Sequence, residues 1–112
     1  MNAEHISFED FQKVDVRVGT IIEVNDFPKA RVPAFQLKID FGSLGIKKSS
    51  AQITSLYTQE SLVGKKIIAV VNFKVKQIAN FKSECLVLGI QNGLDVVLLY
   101  PQDSVANGTQ VL

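Results

Sequence analysis

The stretch Phe35-Gln36-Leu37-Lys38-Ile39-Asp40-Phe41 decides the fold of this 112-residue chain. Its four apolar residues alternate with three polar ones, which is the period of a β-strand with one buried face. Residues 42–45 then predict a turn, and residues 46–53 predict a second, more polar strand. The middle of the chain is therefore expected to form a half-buried sheet.

Toward the N-terminus, residues 14–18 and 20–24 continue the same alternation on either side of Gly19. A glycine inside a strand predicts a bulge or a sharp bend, the usual device for turning a barrel corner. Ser7 is a candidate N-cap for a short helix that ends near Lys13. This helix would place Phe8 and Phe11 on one face.

Toward the C-terminus the sequence predicts a short helix, three strands and two turns. These are the helix over residues 56–62, closed by Gly64; strands over 66–73 and 85–90, apolar enough to be buried on both faces; a strand over 96–100; and turns at Asn92-Gly93 and Asn107-Gly108. Three strands, a helix and two strands is the order of the five-stranded oligonucleotide-binding (OB) barrel. An immunoglobulin-like sandwich lacks enough strands outside the helix. We therefore expect an all-β OB-fold barrel with an N-terminal helix and C-terminal strand extensions.

Composition indicates an ordinary globular protein. The chain is 46% hydrophobic and 21% charged, so it is not expected to be disordered, and residues 1–112 are expected to form one domain. Cys85 is the only cysteine, which fits a reducing compartment. No apolar run approaches the roughly 20 residues that span a bilayer, and the polar N-terminus is followed by no signal-peptide core. These features predict a cytoplasmic protein without membrane insertion.

Charge is distributed unevenly along the chain. Residues 1–27 carry a net charge of −4 (six acids, two bases), residues 28–82 carry +8 (ten bases, two acids), and residues 83–112 carry −3 (three acids). If the folded chain gathers these bases on one side, the resulting electrostatic field attracts polyanions or acidic partners. The alternative is a solvated charged surface with no partner.

The sequence gives little support for a catalytic function. His5 is the only histidine, so a histidine base, triad or metal site is not expected. Ser49-Ser50 has no adjacent base, and Cys85, inside an apolar strand, is expected to be a small buried hydrophobe. No glycine-rich phosphate loop is present. We predict a non-enzymatic protein with no catalytic residue, metal or cofactor.

The segment over residues 72–83 is the richest in binding chemistry. It carries three lysines, two phenylalanines and several small polar side chains between two apolar strands. Basic residues interleaved with aromatics suit a groove that follows phosphates and stacks bases. They suit an extended peptide equally well. The alternative is an ordinary loop that places Phe73, Ile78 and Phe81 in the core.

Several motifs resemble the tRNA-binding domain family, which occurs beside methionyl-tRNA synthetase and as free-standing proteins. They are Asp15-Val16-Arg17-Val18-Gly19-Thr20-Ile21, Ile39-Asp40-Phe41-Gly42, Val70-Val71-Asn72-Phe73-Lys74, Phe81-Lys82-Ser83-Glu84 and Val97-Leu98-Leu99-Tyr100-Pro101. Residues 27–34, 49–54 and 69–73 look more like the CsaA branch, the export-related chaperone. The resemblance runs in order from about Phe8 to Gly108.

This resemblance implies an OB barrel, a homodimer, no catalysis and two ligand classes. The wider family binds tRNA, and the CsaA branch binds unfolded or precursor polypeptides. The family's binding surface maps onto seven residues of this chain: Ser49, Ser50, Asn72, Lys74, Lys82, Ser83 and Glu84. The chain departs from the wider family's pattern at Ala51-Gln52, Phe73 and Cys85-Leu86, which lie on the nucleic-acid face.

The first hypothesis is accordingly a dimeric, chaperone-like peptide binder. Its groove would be lined by Phe73, Phe81 and polar residues of the third strand, Gln52 included, and rimmed by lysines. Phe8, Phe11, Val96 and Leu98 would form the dimer interface; alternatively, they cap their own barrel. The second hypothesis is a tRNA or single-strand binder that uses the same lysines.

Overall fold

The structure, a computed structural model, describes residues 4–112. Its helices are α1 (Phe8–Gln12) and α2 (Gln59–Leu62), with a 3-10 turn at Gly42–Leu44, and its strands are β1 (Val16–Asp26), β2 (Phe35–Asp40), β3 (Ile46–Ala51), β4 (Lys66–Val70), β5 (Lys76–Ile78), β6 (Phe81–Ser83), β7 (Leu86–Val87), β8 (Gly89–Asn92) and β9 (Asp95–Leu98). No helix within this range is long and apolar enough to cross a bilayer.

Five strands form one antiparallel sheet in the order β3-β2-β1-β4-β7. The sheet curls until its outer strands meet, where the N–H of Glu84 donates to the carbonyl oxygen of Lys48 at 2.7 Å. The remaining strands pair as two hairpins, β5-β6 and β8-β9. The predicted five-stranded OB barrel, with a short helix between its third and fourth strands, is confirmed.

The barrel interior is filled by the alternating residues that the sequence marked as apolar. Its largest fully buried side chains are Ile21, Leu37, Ile39, Phe41, Leu62 and Ile67. Leu62 comes from α2, so the helix plugs one end of the barrel. Burying each such side chain stabilises the fold by roughly 1.5–3 kcal/mol.

Gly19 is required by packing rather than by a bend. A Cβ at this position would lie 2.7 Å from Ile39 Cγ2 and 2.8 Å from the Phe41 ring. The register shift of β1 falls later, between Ile21 and Glu23. The prediction of a bulge in this strand was right, but its placement at Gly19 was wrong.

Both predicted helices are present, each with a capping box. Ser7 accepts from the N–H of Asp10 at the start of α1, and Thr58 accepts from Ser61 at the start of α2. The second helix is shorter than predicted because Leu56 and Tyr57 lie before its cap. The predicted turn at Asn107-Gly108 is also present. The turn predicted at Asn92-Gly93 lies one residue later, at Gly93-Leu94, because Asn92 still pairs with Asp95 in the hairpin; φ is positive at both glycines.

Two predictions along the C-terminal half were wrong. The stretch 85–90 is two short strands rather than one strand buried on both faces, and Leu86 and Ile90 are about half exposed. Residues 72–83 are not a plain loop, because they contain the β5-β6 hairpin. The strand predicted over residues 66–73 ends at Val70, so Asn72 and Phe73 lie outside it.

The C-terminal residues 105–111 run beside the first half of β1. The N–H of Val18 donates to Thr109 at 3.0 Å, and Gly108 and Val111 donate to the carbonyl oxygens of Val18 and Val16 at 2.7 and 2.8 Å. Lys66 Nζ adds bonds of 2.6 Å to the Val105 carbonyl oxygen and 2.8 Å to Asn107 Oδ1. The tail therefore extends the barrel along the edge of β1 that β2 leaves free.

Candidate ligand-binding groove

A continuous groove runs across the barrel where β3 and β7 meet. It consists of three adjoining cavities of about 180, 310 and 480 Å³. Lys76 on β5 lines all three cavities, Ser83 and Leu86 line the first two, and Ser50 and Gln52 line the last two. The β5-β6 hairpin is therefore the wall common to the whole groove.

The hairpin is held by a small apolar cluster of its own, outside the barrel. Phe81 on β6 packs against Phe27, with ring centroids 5.4 Å apart, and Ala34 completes the buried part of the cluster. The ammonium group of Lys48 lies 5.3 Å from the centre of the Phe81 ring, a cation–π distance. Because Phe27 and Ala34 flank the loop between β1 and β2, this cluster ties that loop and the hairpin together.

Side chains complete the contact between β3 and the chain that precedes β7. The N–H of Lys48 donates to Glu84 Oε1 at 2.9 Å, and the N–H of Ser50 donates to the Ser83 hydroxyl at 3.3 Å. The Ser83 hydroxyl in turn lies 3.4 Å from the Cys85 carbonyl oxygen. Ser83 and Glu84 thus form a latch that closes one end of the seam between β3 and β7.

Six of the ten predicted ligand-binding residues line the groove. They are Ser50, Gln52, Phe73, Lys74, Ser83 and Glu84. Phe73 is 56% exposed, although one alternative placed it in the core. An exposed aromatic ring is available to a ligand without any rearrangement of the barrel.

The other four predicted residues lie elsewhere. Ser49 is buried, because its neighbour Ser50 takes the opposite face of β3. Phe81 is buried against Phe27, and so supports the groove rather than lining it. Asn72 holds the N-terminal segment, accepting from the N–H of Asp15 at 2.9 Å and donating to the Lys13 carbonyl oxygen at 2.7 Å. Lys82 is exposed and lines none of the three cavities.

Sequence reasoning did not select several residues that line the groove. They are Ala30, Arg31, Val32, Ala34, Ala51, Ile53, Lys76, Gln77, Ile78, Cys85, Leu86 and Val87. Lys76 and Ile78 lie within the basic and aromatic segment already singled out. Ile78 pairs with Phe81 and packs against the cluster that contains it, so strand alternation alone does not separate the lining residues from the supporting ones. Arg31 and Val32 come from a distant loop, and nothing in the local sequence places that loop beside β5.

Electrostatically, the groove is basic at its two ends. Lys74 and Lys76 lie around the first cavity, and Arg31 and Lys76 lie around the third. The one carboxylate among the lining residues, Glu84, already accepts a bond from Lys48. The middle cavity carries the largest number of apolar side chains, with Ile53, Ile78, Leu86, Val87, Val96 and Leu98 in its lining.

Cys85 lies against the groove but is 5% exposed. Burial raises the pKa of its thiol from 9.0 to about 12, and the nearby Ser49 hydroxyl opposes this shift. The thiol therefore stays protonated at neutral pH, in the form that is a poor nucleophile. Among residues 4–112, no three His, Cys, Asp or Glu side chains come together as metal ligands.

The residues predicted for a dimer interface fall in two places. Phe8 and Phe11 stack loosely at 6.3 Å between ring centroids, are 69% and 38% exposed, and line a separate cavity of about 230 Å³ with the C-terminal residues 110–112. Leu98 lies in the barrel core, and Val96 packs against that core. The phenylalanines are thus accessible to a partner, whereas Leu98 caps its own barrel.

Comparisons with known proteins agree on one family. The family described as "Putative tRNA binding domain" matches residues 16–110. A methionine–tRNA ligase of Pyrococcus horikoshii is 36% identical over 108 residues, which are 96% of this chain and 15% of that enzyme. The chain therefore spans about one seventh of the length of such curated relatives.

Two solved structures are similar over nearly their full length. The chaperone CsaA of Bacillus anthracis is 52% identical with a TM-score of 0.92, covering 97% of this chain and 100% of that one. The CsaA chaperone protein of Picrophilus torridus is 53% identical with a TM-score of 0.92, covering 96% of this chain and 100% of that one.

Proposed function

Since the chain belongs to the tRNA-binding domain family, we propose that it is a non-enzymatic, homodimeric chaperone that holds unfolded or precursor polypeptides in the groove. The likeness to two CsaA chaperones over their whole length supports this kind of protein rather than a synthetase. The proposed location is the cytoplasm, where a lone buried thiol such as Cys85 needs no disulfide partner.

The groove's mixed lining is the observation that carries the proposal. An unfolded polypeptide needs apolar pockets for its side chains and polar partners for its backbone. The middle cavity supplies the former through Ile78, Leu86 and Val87, and the exposed Phe73 ring extends this apolar surface into the first cavity. Ser50 and Gln52 supply polar groups beside them. Because a disordered client loses entropy when it binds, we expect modest affinity for each groove.

A homodimer would raise the affinity for long clients. Two grooves on one particle turn the second contact into an intramolecular step, so avidity grows without new chemistry. The proposed interface centres on Phe8 and Phe11, whose exposed rings flank the cavity of about 230 Å³. Phe8→Asp should convert the dimer into a folded monomer, measured by sedimentation and circular dichroism. A wild-type chain that sediments as a monomer would contradict the homodimer.

Binding of tRNA is the second candidate function, and the basic groove ends favour it. Arg31, Lys74 and Lys76 would contact phosphates, as the family membership leads one to expect. Phosphate binding weakens with the logarithm of salt concentration at a slope of roughly 0.7–0.9 per neutralised phosphate. Binding through apolar pockets depends much less on salt.

One competition experiment separates the two functions. Labelled tRNA and a labelled unfolded precursor peptide are offered to the same sample at two salt concentrations. Under the chaperone hypothesis the peptide binds with little change between the two salts, and Phe73→Ala weakens it several-fold. Leu94→Ala, at a 95% exposed hairpin tip that lines none of the three cavities, is the matched control.

Charge variants complete this test. Lys74→Glu should abolish tRNA binding if phosphates occupy the groove. Lys65→Glu, beside Tyr57 and in the lining of none of the three cavities, should leave it unchanged. Strong salt-dependent tRNA binding, together with no peptide binding at either salt, would show that the chaperone assignment is wrong.

A further inference from the structure

We propose that Asn92 is a site of spontaneous deamidation in the folded protein, whereas Asn107, which is followed by the same residue type, is protected. The chain contains two Asn-Gly pairs, Asn92-Gly93 and Asn107-Gly108. A glycine after an asparagine has no Cβ to hinder its backbone nitrogen, so that nitrogen can reach the asparagine side chain. Both pairs share this intrinsic reactivity, and the structure gives them opposite surroundings.

The reaction is an attack of a backbone nitrogen on the preceding side-chain amide. The nitrogen of Gly93 forms a bond to Cγ of Asn92 while the bond from Cγ to Nδ2 breaks, and ammonia leaves with the proton that the backbone nitrogen gives up. Water then opens the five-membered imide. Hydrolysis at Cγ gives aspartate, and hydrolysis at the former backbone carbonyl carbon gives isoaspartate. Water is therefore the only co-reactant.

Asn92 has the surroundings that permit this reaction. It is exposed at the end of β8, where it pairs with Asp95 at the tip of the β8-β9 hairpin. Gly93 has a φ of +63° and the N–H of this residue donates no backbone hydrogen bond within the described residues. Leu94, the other loop residue, is 95% exposed. The rotation that brings Cγ of Asn92 to the Gly93 nitrogen therefore disturbs only the last pair of the hairpin.

Asn107 is held at both of the groups that would react. Its Oδ1 accepts hydrogen bonds from the Thr20 hydroxyl and from Lys66 Nζ, both at 2.8 Å. The N–H of Gly108, the nitrogen that would attack, donates to the Val18 carbonyl oxygen at 2.7 Å. Ring closure at this pair requires the C-terminal tail to open away from β1. Such opening is rarer than fraying at a hairpin tip.

Deamidation of Asn92 to aspartate places a second carboxylate opposite Asp95. Like charges directly opposite each other in an antiparallel pair are destabilising. The Asp95 carboxylate also accepts from the Ser55 hydroxyl at 2.6 Å, and Val96 and Leu98 of the same strand line the middle cavity of the groove. The modification therefore loosens a hairpin that supplies part of the groove wall.

Mass spectrometry of the full chain tests the selectivity. The folded protein is incubated in warm, mildly alkaline buffer, sampled over time and digested briefly with trypsin. Residues 83–112 contain no lysine or arginine, so one peptide carries both Asn-Gly pairs, and fragmentation compares them within the same molecules. The mass gain from replacing NH2 by OH should accumulate at Asn92 at least about tenfold faster than at Asn107.

The same chain in concentrated guanidinium chloride is the matched control. Unfolding removes both environments, so the two rates should come together there. Equal rates at Asn92 and Asn107 in the folded protein would overturn the proposal. It would equally be overturned if folding slowed the reaction at Asn92 more than about tenfold relative to the unfolded chain.

A variant tests the effect of the product on the hairpin. Asn92→Asp should speed amide hydrogen exchange at Ile90 and Val97, which pair across the hairpin, by about two- to fivefold. Asn80→Asp adds the same charge at the tip of the β5-β6 hairpin and should leave that exchange unchanged. Unchanged exchange in Asn92→Asp, or an equal increase in both variants, would contradict the loosening of the β8-β9 hairpin.

Discussion

The barrel has two edges that its five strands do not fully pair, and the chain treats them differently. Beside β1, the tail over residues 105–111 supplies backbone hydrogen bonds of 2.7–3.0 Å. Between β3 and β7, the side chains of Ser83 and Glu84 bridge the seam. The first edge is sealed by the backbone of the chain itself, and the second is closed by side-chain hydrogen bonds beside the groove. We therefore expect variants at the first edge to affect stability, and variants at the second to affect binding as well.

The largest expected effect is at the sealed edge. Gly108 has a φ of +89°, and a Cβ there would lie 2.5 Å from the Phe41 carbonyl oxygen. Gly108→Ala should lower the free energy of unfolding by about 3 kcal/mol, because left-handed strain adds to a contact with backbone that cannot move aside. Urea denaturation measures this change.

Gly93→Ala is the matched control for this variant. Gly93 also has a positive φ, +63°, but nothing lies within 4 Å of its Cβ position. We expect a loss of about 1 kcal/mol from strain alone. Equal losses at the two glycines would show that the tail does not seal the β1 edge.

At the seam between β3 and β7, the expected effect on stability is smaller. Glu84→Ala removes the acceptor for the Lys48 N–H and should cost about 2 kcal/mol in the free energy of unfolding. Glu84→Gln keeps an acceptor and should restore most of that loss. Glu60→Ala, an exposed carboxylate on α2, should change stability by less than about 0.5 kcal/mol.

Peptide affinity provides the second half of that test. Glu84→Ala should change the affinity for an unfolded peptide, because Glu84 lines the first cavity of the groove, whereas Gly93→Ala should leave it unchanged. A Glu84→Ala protein that is fully stable, with unaltered peptide binding, would remove the functional difference between the two edges.

Sequence reasoning succeeded where alternation is long and the partners are local. The seven residues 35–41 predicted a strand that the structure shows as Phe35–Asp40, and the predicted capping residue Ser7 marks the start of α1. It failed where contacts between residues far apart in the sequence determine the structure. The hairpin β5-β6 is held by Phe81 against Phe27, a contact between residues more than fifty positions apart.

The same distinction between local and distant contacts explains which residues of the candidate site were predicted correctly. Ser49 and Ser50 are adjacent in one strand, so only one of them can face the groove, and pairing with Leu37 turns Ser49 inward. Composition alone does not distinguish the two serines, and both were predicted to bind the ligand. The apolar run 85–90 looked like a buried strand, yet Leu86 lines the groove. A groove wall and a barrel core use the same residue types, and only the fold separates them.

The Cys85 thiol tests how far water reaches beneath the seam between β3 and β7. Burial raises the pKa of its thiol from 9.0 to about 12, so between these values the unfolded chain releases a proton that the folded chain keeps. Stability therefore falls as pH rises above 9. Between pH 8 and pH 10 this single group should cost about 1 kcal/mol. The measurement is the difference between the wild type and Cys85→Ala in urea at both pH values, and identical pH dependence in the two proteins would show that the seam admits water to the thiol.

The smallest expected effect concerns the hairpin that forms the common wall of the groove. Ala79, at the turn between β5 and β6, has a φ of +52°, a conformation that glycine adopts without strain. Ala79→Gly should stabilise the protein by about 0.5 kcal/mol, because relief of strain slightly exceeds the entropy that glycine adds to the unfolded chain. Asn80→Gly, at the next turn position, has no positive φ to relieve and should destabilise instead. If the hairpin is only a passive wall, peptide affinity and association rate stay constant in Ala79→Gly. If the hairpin must open to admit the client, the association rate falls, because the relaxed turn makes the closed hairpin more stable.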